Sequence, residues 1–126
     1  ARVAECDIGL VLFQRGETNH ALALPHKLFD CMLAGLPVIV PGFATEVAAA
    51  VREAGSGLCL DTGDPAAIAA AIADLADPAR RAALGAAGRA AALGRFGWAG
   101  EAERLTALYR RLAPLPPAGP LAAPGL

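Results

Sequence analysis

The sequence predicts an α/β protein with a partial doubly wound, Rossmann-like parallel sheet, on three observations. Ile8-Gly9-Leu10-Val11-Leu12-Phe13, Val38-Ile39-Val40 and Leu58-Cys59-Leu60 are short apolar runs without the polar alternation of a half-exposed strand. Helical patterns separate these runs, so strand and helix alternate along the chain. Glycine and proline stand at the joints, as at Gly35-Leu36-Pro37 and Pro41-Gly42.

The elements follow in order. The first run is a central parallel strand over residues 8–13, and residues 14–25 form a loop. A helix is expected over about 26–34, with Pro25 at its first position, where a missing N–H costs nothing. Gly35 suits the left-handed position that ends it, and Pro37 blocks continuation into the strand at 37–40. A second helix is expected at 45–54, with Val47 and Val51 inward and Gly55 and Gly57 at its end, before the third strand. Asp64-Pro65 and Asp77-Pro78 each begin a further helix with an aspartate cap. In the first of these, Ile68, Ile72 and Leu75 repeat at helical spacing; in the second, Gly85 and Gly88 weaken the helix or permit close packing. Trp98 leads into a closing helix with the stripe Leu105, Leu108, Tyr109 and Leu112. The Pro/Ala/Gly-rich stretch at 114–126 is expected to be an unstructured tail, leaving 1–113 as the folded part.

Composition narrows the function. At 126 residues the chain is at most one domain, and 56% apolar residues with a net charge of −1 exclude a disordered protein and a basic nucleic-acid surface. Cys6, Cys31 and Cys59 lie far apart beside apolar segments, which suits buried thiols in a reducing cytoplasm and argues against zinc or disulfides. The most apolar window is broken by Gly35, Pro37, Pro41, Gly42 and Glu46, so it reads as core and not as a transmembrane segment. No signal peptide is visible. The chain enters its first strand almost at once and has three strands where such sheets usually have about five or six. It therefore reads as part of a longer polypeptide.

Ligands bind beyond the carboxyl ends of the strands in such folds, which puts the loops at 14–25, 41–45 and 61–64 around any site. Two features of the helix at 26–34 single it out. Asp30 stands inside an apolar run, where a buried charge would need a partner. The start of the helix has no capping side chain, yet it holds Lys27, the only lysine, against the local dipole. An anion such as a phosphate at that terminus accounts for both the free amides and the lysine, and a solvated lysine at a frayed helix start is the plainer reading.

The segment Pro25-His26-Lys27-Leu28-Phe29-Asp30-Cys31-Met32-Leu33-Ala34-Gly35-Leu36-Pro37-Val38-Ile39-Val40 resembles the donor-binding segment of family-4 glycosyltransferases of the GT-B fold. Members there often read Pro-Asn-Lys-Leu-Phe-Glu-Tyr-Met-Ala-Ala-Gly-Leu-Pro-Val. Cys6-Asp7-Ile8-Gly9-Leu10, Gly57-Leu58-Cys59-Leu60, Asp64-Pro65 and Arg95-Phe96-Gly97-Trp98 resemble further elements of the family in the same order, so the likeness covers residues 1 to about 113.

The resemblance implies the C-terminal domain of a GT-B fold and a cytoplasmic, retaining hexosyltransferase-type enzyme. Its donor is a nucleoside diphosphate sugar, and it needs no metal or other cofactor. Asp30 would accept hydrogen bonds from the ribose, and the helix start with His26, Lys27 and Leu28 would approach the diphosphate and sugar. Thr18 and Asn19, in the preceding loop, would contact the sugar. The acceptor would lie on an N-terminal domain not included in this chain, through which the enzyme could associate peripherally with a membrane. The family usually has two glutamates separated by seven residues; here the second falls on Asp30 and the first on Leu22, which cannot bind a hydroxyl. No catalytic residue is assigned, and this chain alone is expected to have no transferase activity. A GT-B sugar-nucleotide epimerase and a non-catalytic nucleotide-binding or interaction domain remain alternatives.

Other candidates carry less. His20 and His26 form no metal set, and neither a Ser-His-Asp arrangement nor a phosphate-binding glycine motif is present. Glu46 suits the dipole of the helix it opens. Trp98 and Tyr109 read as packing residues, with the missing domain one candidate surface, and the three cysteines read as core.

Overall fold

The computed structural model describes residues 2–13, 15–16 and 18–112. A 3-10 turn, Arg2–Glu5, precedes β1 (Gly9–Leu10), α1 (Thr18–Leu22), α2 (His26–Leu33), β2 (Val38–Pro41) and α3 (Thr45–Ala54). Then come β3 (Gly57–Leu60), α4 (Pro65–Asp74), α5 (Pro78–Leu93) and α6 (Trp98–Leu112). The tail expected over 114–126 lies outside the described residues.

The sheet is parallel throughout, in the order β1-β2-β3, with Gly9 opposite Val38 and Val38 opposite Gly57. β2 is buried along its whole length because it is covered on both faces. Val38 and Val40 enter a core shared with Leu28 and Met32 of α2, Val47 and Val51 of α3, and Ala92 of α5. Ile39 points the other way, into a smaller core with Ala71 and the adjoining Leu75, against which Leu84 also packs. Helices on both faces of an alternating, parallel sheet make this an α/β fold of the partial Rossmann-like kind.

The helix boundaries follow their local chemistry. The carboxylates of Asp64 and Asp77 accept hydrogen bonds from the amides of Ala66 and Ala79, each at 2.9 Å, with proline next in the chain. α2 ends as glycine permits: Gly35 takes φ of 77°, its amide donates to the Met32 carbonyl, and the Leu36 amide donates to that of Cys31. Gly85 lies against this turn, so closely that a Cβ there would overlap the Gly35 carbonyl oxygen. That contact fixes the separation of α5 and α2.

Several expectations need correction. β1 is a two-residue ladder, because only Gly9 and Leu10 pair with β2 before the chain turns away. The segment 14–25 is not all loop, since Thr18–Leu22 closes one short helix. Pro25 is the N-cap of α2, with extended ψ of 145°, and His26 opens the helix. In α4, Ala71 is buried and Ile72 exposed: the helix is alanine-rich all round, so its two isoleucines do not choose the inner face. Cys6 is exposed, while Cys31 and Cys59 are half-buried, so the thiols are not uniformly core. No residue of α6 is buried, and its expected apolar stripe lies open. No helix among the described residues is long and apolar enough to cross a membrane.

Candidate functional site

The carboxyl ends of the strands lead into loops that converge. The Thr62 hydroxyl, after β3, donates to the Phe13 carbonyl at 3.1 Å; the Thr45 hydroxyl, at the start of α3, donates to the Ala21 carbonyl at 3.2 Å. The segment after β1 is thus tied to the loops after β2 and β3, and α2 starts beside it.

α2 has two faces with different tasks. At 100° per residue, Leu28 and Met32 point into the core, whereas His26, Asp30 and Lys27 occupy one continuous arc on the opposite side. All three are exposed. Asp30 therefore carries no burial cost, which corrects the premise that its charge needs a buried partner. Among the described residues no hydrogen bond or ion pair engages its carboxylate. The arc starts at a helix end with no side-chain cap, since neither Pro25 nor a neighbour supplies one. α3, the next helix along the same edge, opens at Ala44 and lacks a side-chain cap as well.

Lys27 has a protein partner that the sequence did not disclose. Its ammonium lies 5.9 Å from the centre of the Phe13 ring, and His20 stacks on that ring at 5.4 Å and 12°. Arg15 lies 4.8 Å over the ring of Phe43, in the turn after β2. Phe13, in the segment after β1, and Phe43, in the turn after β2, thus hold two cations at this edge of the sheet. Part of the signal was present: Phe43 follows Pro41-Gly42 within the loop expected at 41–45, whereas Phe13 closes the apolar run expected as the first strand.

The remaining candidates separate. Thr18 and Asn19 open α1, both exposed. Leu28 gives its side chain to the core and its amide to the Pro25 carbonyl at 3.1 Å. Glu46 is exposed in the first turn of α3, where its charge suits the dipole. Leu22, at the end of α1, is 60% exposed. Phe96, in the segment before α6, reaches back to Phe29 of α2, ring to ring at 5.6 Å.

Burial, and secondarily the Asp30 carboxylate, pushes the Cys31 thiol above its ordinary range, and burial does the same to Cys59. Both stay protonated at neutral pH and are poor nucleophiles. Among the described residues no three His, Cys, Asp or Glu side chains gather as metal ligands. Taken together, this edge offers hydrogen-bond acceptance at Asp30, positive charge at Lys27 and Arg15, and an uncapped helix start. Compared with protein-family models, with curated proteins and with solved structures, the chain returns no match.

Proposed function

We propose that the chain is the donor-binding part of a retaining GT-B glycosyltransferase of the family-4 type, which takes a nucleoside diphosphate sugar. The observation that carries this reading is the exposed arc of α2, with Asp30 and Lys27 about one turn from an uncapped helix start. A ribose diol presents two donors to a carboxylate, and a diphosphate suits amides, a helix dipole and a cation together. Asp30 would hold the ribose, Lys27 and the start of α2 the diphosphate, and His26, Thr18 and Asn19 would border the sugar. The same groups would stabilise the departing nucleoside diphosphate during transfer.

Calorimetric titration of the chain with UDP, GDP and ADP, and with their sugars, tests this. One of the three bases binds, and Asp30→Ala and Lys27→Ala each weaken binding about tenfold, as expected for loss of a charged hydrogen-bonding group. Binding that survives Asp30→Ala unchanged rejects the assignment. Sugar transfer by the chain alone would contradict its role as one wall of a two-domain site.

Leu22 favours a second reading. An exposed leucine where the family carries a glutamate suits a nucleotide-binding module without transferase chemistry. In that case Asp30→Ala in the parent protein leaves sugar transfer intact, whereas the transferase reading requires its severe loss.

A further inference from the structure

We propose that the apolar groove beside α2 holds the hydrocarbon chain of the acceptor, so that the sugar passes to an amphiphile. This rests on the donor-binding reading and extends it to the second substrate. The groove, of about 610 Å³, lies between α2 and the segment that leads into α6, with Leu24, Phe29, Leu33, Phe96 and Trp98 among its walls. Phe29 and Phe96 meet there ring to ring at 5.6 Å, and Trp98, at its edge, is 76% exposed. Apolar surface is thus left for an occupant to cover.

Chemistry and size select that occupant. Among the described residues that line the groove, the only polar side chains are His26 and Glu101, and Glu101 is engaged by Arg104 at 2.7 Å. A sugar, a nucleobase or an extended peptide carries hydrogen-bonding groups along its length, which would go unsatisfied against leucine and phenylalanine. A hydrocarbon chain has none to lose. The volume falls within the range of small-molecule pockets, about 300–1,000 Å³. The few residues around it fall well short of the roughly 20–30 that a specific protein interface takes on each side.

The groove also adjoins the donor arc. At 100° per residue, Phe29 and Leu33 lie about 60° and about 20° to one side of His26, and Asp30 and Lys27 about 40° and about 100° to the other. His26 stands at the boundary, a wall of the groove and a member of the arc. In the donor reading it borders the sugar. An acceptor hydroxyl at His26 therefore meets the anomeric carbon while its chain runs back along Phe29 and Leu33. Transfer breaks the bond from that carbon to the phosphate oxygen, forms one to the hydroxyl oxygen, and leaves the proton with the departing nucleoside diphosphate.

Titration with hexyl, octyl and decyl β-glucosides, each below its micelle concentration, tests this by calorimetry and by the emission of Trp98, the only tryptophan. The expected result is saturable binding that tightens about three- to fourfold per methylene, with a blue shift as the chain covers Trp98. Leu33→Glu and Leu93→Glu, both at exposed positions that also line the groove, should each weaken it about tenfold and leave nucleotide binding and circular dichroism unchanged. Asp30→Ala should do the reverse, weakening nucleotide binding and sparing the glucosides. Nucleotide binding without glucoside binding overturns the proposal and leaves the donor reading standing, as does glucoside binding that neither chain length nor Leu93→Glu alters. Glucoside binding without nucleotide binding removes the acceptor role together with the donor reading. A parent protein that binds no decyl glucoside while the chain alone does so also overturns it, by showing the groove covered by another part of the polypeptide.

Discussion

Replacing Gly85 with alanine opposes two effects of known size. Within α5 the change favours the helix by about 1 kcal/mol, because alanine loses less backbone freedom than glycine. Against that, the new methyl overlaps the carbonyl oxygen of Gly35, backbone held in place by the turn that ends α2. No rotamer relieves a backbone clash, so α5 must retreat on the order of an ångström from α2, loosening Gly88 and Ala92 from the core beside Met32. Overpacking of this kind costs typically 1–3 kcal/mol and more against rigid backbone, so the clash wins. The expected net loss is about 1–2 kcal/mol, or roughly 4–8 °C in the thermal midpoint for a domain of this size.

A neighbouring substitution separates the terms. Ala86 is the next residue of α5 and is exposed, so Ala86→Gly changes propensity alone and should cost about 1 kcal/mol. If propensity governed both positions, the two variants would move stability in opposite directions; if packing governs Gly85, both fall. Urea unfolding followed by circular dichroism distinguishes these outcomes. A Gly85→Ala variant more stable than the parent would refute the close approach of α5 to α2.

Three further outcomes follow from buried and half-buried groups. Ser56 is fully buried and its hydroxyl has no hydrogen-bond partner among the described residues, so Ser56→Ala should raise stability by about 1 kcal/mol in urea unfolding. Arg81 donates to the carbonyls of Leu75 and Ala76, both at 2.8 Å, and so closes the end of α4; Arg81→Ala should cost about 1–2 kcal/mol by the same assay, little of it from the 3.7 Å pairing with the exposed Asp7. The Cys31 and Cys59 thiols are raised in the folded state, so the native chain holds these protons more tightly than the unfolded one. Their contribution is present at neutral pH and is lost as pH climbs past the ordinary thiol range, so the fall of the urea midpoint toward about pH 10 should be shallower in Cys31→Ala with Cys59→Ala.

The parts of this fold legible in the sequence are those set by local chemistry. An aspartate before a proline can do little but cap a helix, and Asp64 and Asp77 do so. Gly35 and Gly55 end helices in the left-handed region, where a side chain would be strained. Val38-Ile39-Val40, without polar alternation, is the strand buried on both faces. What escaped was set by tertiary packing. The face of α4 was ambiguous because alanine surrounds its two isoleucines, and packing placed Ala71 inward. α1 has only five residues and carries too little pattern to be read. The aromatic support of Lys27 and Arg15 depends on which cation packing brings to each ring; the position of Phe43 in an expected site loop was legible, but its pairing with Arg15 and that of Phe13 with Lys27 were not.

Asp30 shows how a linear reading misleads where a helical one does not. Along the chain its neighbours are Phe29 and Cys31, so the acid stands in an apolar run; around the helix its neighbours are His26 and Lys27, and the three form the polar arc of α2. The acid is therefore no burden to the core. Core demands on α2 are met by Leu28 and Met32, and none fall on residues 26, 27 and 30. Physical necessity thus leaves the arc free, so whatever its residues contribute is decoupled from folding. Changes at Asp30 and Lys27 should alter ligand affinity with little effect on unfolding, while changes at Leu28 and Met32 should do the reverse at about 2–5 kcal/mol for alanine. A helix on which both kinds of change moved stability together would have no face reserved for a ligand, and the donor-binding reading would lose its footing in the fold.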